Sequence, residues 1–174
     1  AKGYRAGVKM PREIMLTDDI VSEMLPPRKP YGAKWDFGRL LCVCGSDSMP
    51  GAAALSCMAA ARSGVGLVRL MSTPAVCAAV SGALLECTYS VAPANPLGGI
   101  SEDVLPVLLR ERERHSAVLF GPGLGSGEST AALLRGLLHD CRTPVVIDAD
   151  GLNALAGDLT VLRGVRAPVI LTPH

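Results

Sequence analysis

An α/β fold, with a doubly wound, mostly parallel sheet carrying helices on both faces, is the class this 174-residue chain predicts. From Arg39 onward, short apolar runs rich in β-branched residues alternate with helix-compatible segments. That alternation calls for parallel strands joined by right-handed crossovers. The runs are apolar throughout and do not alternate with polar residues, as expected where helices cover both faces of the sheet. Hydrophobic residues make up 49% of the chain but aromatics only 3%. The core must therefore be built from Ala, Val, Leu and Gly, as when helices sit close on a sheet.

Residues 1–16 are basic, polar and unpatterned and read as a linker or tail, leaving 17–174 as the domain. Thr17 can cap a short helix: Asp18 and Asp19 lie in its first turn, Ile20, Met24 and Leu25 give it an apolar face, and Pro26-Pro27 end it. A Pro/Lys/Arg segment follows to Lys34. The expected strands are Leu40–Cys44, Leu67–Met71, Thr88–Val91, Ala117–Phe120, Val145–Ile147 and Val169–Leu171. Helices are expected near 50–63, 74–85, 101–113, 127–140 and 151–163. Arg110-Glu111-Arg112-Glu113-Arg114 reads as a solvated mixed-charge face, and His115 and His139 as solvated residues at element ends.

The charge balance is 17 basic against 16 acidic residues with no basic block, which argues against a nucleic-acid role. The six cysteines form no C-x-x-C pair and mostly lie in apolar runs, as buried free thiols of a cytoplasmic protein do. Uncharged stretches fall short of the roughly 20 residues a membrane helix needs, and no apolar core follows the basic N-terminus as a signal peptide would require. Neither a membrane partner nor export is expected. The chain begins with Ala, which suggests processing or excision from something longer.

Ligands of such a sheet collect at the carboxyl ends of the strands, and the informative residues follow the apolar runs. After the first strand, Pro50 suits the first turn of a helix, and Gly51 and Ala52 leave its N-terminus open to an anion. The ordinary alternative is that Ser48 caps this helix and its small residues serve packing. After the fourth strand comes Gly121-Pro122-Gly123-Leu124-Gly125, where glycine lets ligand atoms approach bare backbone. No Gly-Lys-Ser/Thr follows, and Ser126 stands where the dinucleotide fingerprint needs Gly, so it is neither common phosphate loop. After the fifth strand, Asp148 and Asp150 can hold Mg²⁺ through water or accept a hydroxyl proton. Equally, Asp150 can cap the helix beginning at Gly151 while Asp148 bonds a neighbouring loop. His174, at the end of the last strand, is placed to bond a ligand phosphate or amide.

Taken in order, these segments resemble the ADP- or ATP-dependent NAD(P)H-hydrate dehydratases, of ribokinase-like fold. The matching residues are Lys34-Trp35-Asp36-Phe37-Gly38-Arg39; Gly45 with Pro50-Gly51-Ala52-Ala53; Arg62-Ser63-Gly64-Val65-Gly66-Leu67-Val68; Gly121 to Gly125; Asp148-Ala149-Asp150-Gly151-Leu152-Asn153-Ala154-Leu155; and Thr172-Pro173-His174. Each is weak alone; six in order are specific, and they span the chain from about Thr17 to its end. The resemblance implies a lyase of nicotinamide-nucleotide repair. Such an enzyme phosphorylates the hydroxyl of hydrated NADH or NADPH at the expense of ADP or ATP, with Mg²⁺, and eliminates phosphate. By matching position, Ala52, Gly123, Gly125 and His174 would contact the hydrated dinucleotide, and Asp150 and Asn153 would line the same pocket. A homo-oligomer is expected.

The chain departs from the family pattern at two points. Trp35 stands where the family usually has Gly. Past the Thr-Pro-His strand the family continues with Pro-Gly-Glu, a Lys-Gly segment and a Gly-x-Gly-Asp turn, which hold the nucleotide phosphates and supply the catalytic Asp. Residues 1–174 hold neither a Pro-Gly-Glu nor a Gly-x-Gly-Asp sequence. The expectation is thus the substrate-side, N-terminal part of a dehydratase domain, with its catalytic part in a separate or continuing piece or lost from an inactive product. A sheet stopped at the last strand would expose an apolar, aggregation-prone edge, which favours a further piece. Two other readings remain: a vitamin-precursor type kinase of the ribokinase superfamily, which would leave a stable phosphoester, and a non-catalytic dinucleotide-binding fragment.

Overall fold

The computed structural model describes residues 14–25, 27, 28 and 30–174. The tail expected over 1–16 therefore lies almost wholly outside the described residues, as does Pro26. The chain divides into two units, residues 1–31 and 32–174. In the first, helix α1 spans Asp18–Met24; Thr17 Oγ1 accepts from the Ile20 amide, and Asp18 and Asp19 occupy the first turn as anticipated.

The second unit holds six strands: β1 (Arg39–Val43), β2 (Leu67–Ser72), β3 (Thr88–Val91), β4 (Ala117–Phe120), β5 (Val145–Ile147) and β6 (Val169–Leu171). All pair in parallel, in the order β3-β2-β1-β4-β5-β6. The chain thus winds outward from β1 in one direction and from β4 in the other, leaving a topological switch point between them, where open α/β sheets bind ligands. Register sharpens this. Val43 pairs with Phe120, Phe120 with Ile147, and Ile147 with Leu171, so β1, β4, β5 and β6 end in one row. The four glycine-, aspartate- and histidine-bearing turns leave the sheet side by side.

Alternation along the strands supplies two cores. Leu41, Val43, Val118, Phe120 and Ile147 pack with α4 (Leu105–Arg114), α5 (Glu128–Leu138) and α6 (Asp150–Gly157). Cys42, Cys44, Val68 and Leu70 point the other way, toward α2 (Pro50–Arg62) and α3 (Pro74–Val80). All six cysteines are free, and all but the half-buried Cys87 are buried.

Several local expectations need correction. The helix expected over 74–85 stops at Val80, before Ser81-Gly82. That expected over 151–163 breaks in two: α6 ends at Gly157, and Asp158 leaves helical geometry to cap a 3-10 turn over Leu159–Gly164, accepting from the Thr160 amide. Ser48 does not cap α2. Met49 occupies the N-cap without a side-chain bond, while the Ser48 hydroxyl shares a hydrogen bond with Ser46, 3.3 Å away.

The charged end of α4 is a solvated face only in part: Arg110, Glu113 and Arg114 are exposed. Glu111 and Arg112 are buried. Arg112 donates to the carbonyls of Leu137 and His139 at 2.7 and 3.1 Å, satisfying orphan groups at the end of α5. The His115 side chain is only 8% exposed, so it too is not solvated, whereas that of His139 is.

Candidate active site at the carboxyl edge of the sheet

Two of the six motifs lie at the amino edge, away from the predicted site. Lys34–Phe37 forms a 3-10 turn leading into β1, and the amides of Gly66 and Leu67 donate to the carbonyls of Phe37 and Gly38. A Cβ on Gly66 would stand 1.6 Å from the Lys34 carbonyl oxygen, so only glycine lets these segments meet. Trp35 is 61% exposed on this turn. These motifs fasten β1 to β2.

At the carboxyl edge the remaining turns are tied together. The Gly45 amide donates to the Pro122 carbonyl at 2.8 Å, joining the β1 and β4 turns across the switch point. Gly121, at φ +130°, passes so close to the β5 turn that a Cβ would come within 1.9 Å of the Asp148 carbonyl oxygen. Gly123, at φ +66°, faces α2: a Cβ there would lie 2.6 Å from that of Ala52. Both glycines are buried, so their bareness serves the assembly of the turn. Gly125, by contrast, is half exposed.

The two aspartates have separate tasks. Asp148 accepts from Thr172 Oγ1 at 2.6 Å, tying β5 to the end of β6, the neighbouring-loop role anticipated for it. Asp150 occupies the first turn of α6 and does not cap it. Its Oδ2 accepts from the Gly125 amide at 2.9 Å and its Oδ1 from Asn153 Nδ2 at 3.3 Å. Ala149 before it sits at φ +46°, strained for an L-residue, and so directs the carboxylate toward the β4 turn.

Two cavities open here. One, of about 360 Å³, is bordered by Ser46, Ser48, Asn95, Gly125, Ser129 and Thr130 among others. Its polar groups are five hydroxyls, the Asn95 amide and the Glu128 carboxylate, set among apolar Pro96, Leu97 and Leu124, and could bond a hydroxyl-bearing ligand. Thr130 Oγ1 donates to the Gly125 carbonyl at 2.8 Å and steadies the turn. The second, of about 390 Å³, is lined by Ala149, Asp150, Leu152, Asn153, Pro173 and His174. It joins a carboxylate, an amide and an imidazole, groups able to bond a ligand amide or exchange a proton.

Of the predicted residues, Gly125 borders the first cavity, Asp150, Asn153 and His174 share the second, and the Asp150–Gly125 bond connects the two. Ala52 and Gly123 meet in the wall between α2 and the β4 turn. Sequence reasoning missed Asn95, whose Oδ1 accepts from the amides of Leu97 and Gly99 and shapes the loop after β3. The Pro96-Leu97-Gly98-Gly99 turn residues behind a strand were the available signal. Among the described residues no three potential ligands cluster to hold a metal, and both aspartates are engaged internally. The described residues thus build no cage for Mg²⁺.

A family model for NAD(P)H-hydrate dehydratases matches residues 40–174. The chain belongs to that family. It is 39% identical over 164 residues to a bifunctional NAD(P)H-hydrate repair enzyme of Moorella thermoacetica, covering 92% of this chain and 30% of the relative. The corresponding enzyme of Salinibacter ruber is also 39% identical over 160 residues, with 91% and 30% covered. Among solved structures, the ADP/ATP-dependent NAD(P)H-hydrate dehydratase of Bacillus subtilis, co-crystallised with ATP and Mg²⁺, superposes with a TM-score of 0.67 at 29% identity. It matches 91% of this chain and 52% of its own. A ribokinase-like protein of Enterococcus faecalis, at 22% identity and a TM-score of 0.73, shares the fold, with 91% of this chain and 53% of its own covered. The chain thus spans about 30% of these curated relatives and about half of these solved chains.

Proposed function

We propose that this chain forms the substrate-side wall of an enzyme that dehydrates hydrated NADH or NADPH at the expense of ADP or ATP. The observation that carries the reading is the linked pair of cavities along the carboxyl edge of a family member's sheet: Gly125 beside the switch point, held by Asp150, with Asn153 and His174 beyond it. Hydroxyls and the Gly125 turn would receive the ribose–phosphate part of the dinucleotide. Asn153 and His174 would bond its amide-bearing end, and Ala52 and Gly123 would shape the wall between.

The nucleotide co-substrate would bring Mg²⁺ on its phosphates, since the described residues build no cage for the ion. The reacting carboxylate would come from a Gly-x-Gly-Asp sequence of the family type in a further C-terminal piece. The working protein would be a cytoplasmic homo-oligomer.

Turnover of hydrated NADH with ADP or ATP and Mg²⁺ tests this reading. Residues 1–174 alone should restore no NADH, and the complete dehydratase domain containing them should restore it with release of phosphate. Robust turnover by residues 1–174 alone would remove the catalytic role from the further piece. Accumulation of a stable phosphorylated product would turn the reading to a small-molecule kinase.

A further inference from the structure

At the opposite, amino edge of the sheet lies a cavity of about 420 Å³ that the dehydratase reading does not use. Arg39 opens β1, Arg69 lies on β2, Thr88 opens β3, and Glu111, Arg114 and His115 come from the end of α4; all six line it. Three guanidinium groups face one carboxylate, a formal excess of two positive charges. Glu111 is already committed: Arg69 Nη1 donates to it at 2.9 Å, with Arg114 at 3.7 Å and His115 Nδ1 at 3.8 Å. Arg69 Nε donates to Thr88 Oγ1 at 3.2 Å, which fixes the guanidinium plane and leaves Nη2 without a partner among the described residues. The Arg39 guanidinium has no partner among the described residues.

His115 supplies the second observation. Its side chain is 8% exposed, and Nδ1 lies 2.6 Å from the Glu111 carbonyl oxygen. A carbonyl only accepts, so Nδ1 carries the proton and Nε2 of the neutral ring presents a lone pair. No described buried side-chain nitrogen or oxygen lacks a partner. Nε2 has no partner among the described residues and so is not fully buried, and His115 lines the cavity. A nearly buried imidazole thus lines the cavity beside the unpaired Arg39 and the partly engaged Arg69 and Arg114.

We propose that this cavity binds a small phosphorylated polyol. The phosphate dianion would sit between Arg39, Arg114 and the free edge of Arg69, whose planar forks suit its oxygens. A neighbouring ligand hydroxyl would donate to His115 Nε2. The volume falls within the range of small-molecule sites, and the site lies at the other end of the strands from Asp150 and His174.

Calorimetric titration of residues 1–174 with inorganic phosphate and with glycerol 3-phosphate, at fixed ionic strength, tests the site. Both should bind saturably at one site, glycerol 3-phosphate at least about threefold tighter. Arg39→Gln should weaken both at least about fivefold, and so should Arg114→Gln, whose wild-type side chain is 71% exposed and whose replacement leaves the core untouched. Arg163→Gln, at an exposed position elsewhere, should change neither. Absence of saturable binding by the wild-type chain would overturn the proposal. So would equal weakening by Arg163→Gln, or binding indifferent to Arg114→Gln.

Discussion

Gly121 and Gly125 belong to one motif but answer to different forces. A Cβ at Gly121 would strike the Asp148 carbonyl, whereas one at Gly125 would meet nothing within 4 Å and suffer only from its φ of +79°. Gly121→Ala should therefore cost about 3 kcal/mol or more, since backbone must move, and Gly125→Ala about 1–2 kcal/mol. Denaturant unfolding of the two variants checks the order. Among the thiols, burial chiefly lifts Cys87 from its ordinary value near 9 to about 11. Hydrogen bonding between neighbouring thiols, Cys44 to Cys42 and Cys42 to Cys57, raises those two further. At neutral pH, Cys87 should alkylate on the order of 10²-fold more slowly than a free thiol. Folding also keeps these thiols protonated above the pH at which the unfolded chain releases its protons. Stability should therefore hold below about pH 9 and fall as pH rises through about 11, measured by melting temperature across that window.

The end of α4 shows what a pattern of charges can and cannot disclose. Alternating Arg and Glu at the end of a helix ordinarily mark a solvated face. Here the open carbonyls closing α5 recruit Arg112, and Arg69 on β2 recruits Glu111. Both pairings join residues 25 or more positions apart, so nothing local announces them. Arg112→Met should destabilise the fold by about 1.5–3 kcal/mol by stripping those carbonyls of their donor. Arg110→Ala, at an exposed neighbour, should stay within about 0.5 kcal/mol. Thermal melts of the two variants separate them. The strands were legible because each is a short apolar run bounded by turn residues, and all six appear within a residue of expectation. Helix ends were less so: Gly157-Asp158 breaks a pattern whose hydrophobic spacing continues on either side.

For the whole molecule, the row formed by Val43, Phe120, Ile147 and Leu171 explains why the candidate site was partly legible in the sequence. Level strand ends make each post-strand turn a neighbour of the next. Residues found by that rule, Gly125, Asp150, Asn153 and His174, do line the carboxyl edge. The Asp150–Gly125 bond and the contribution of Asn95 depend on loop paths, which no periodicity encodes. The same parallel order leaves β6 at an edge, with Ile170 57% and Leu171 42% exposed. Ile170→Lys should reduce self-association of residues 1–174 without lowering the melting temperature, as light scattering at matched concentration would reveal. The central claim concerns the carboxyl edge, and calorimetric titration with hydrated NADH addresses it most directly. Residues 1–174 should bind saturably, and Asp150→Ala should weaken binding at least about tenfold while the chain stays folded. No binding by the wild-type chain, or equal binding by a folded Asp150→Ala variant, would contradict it.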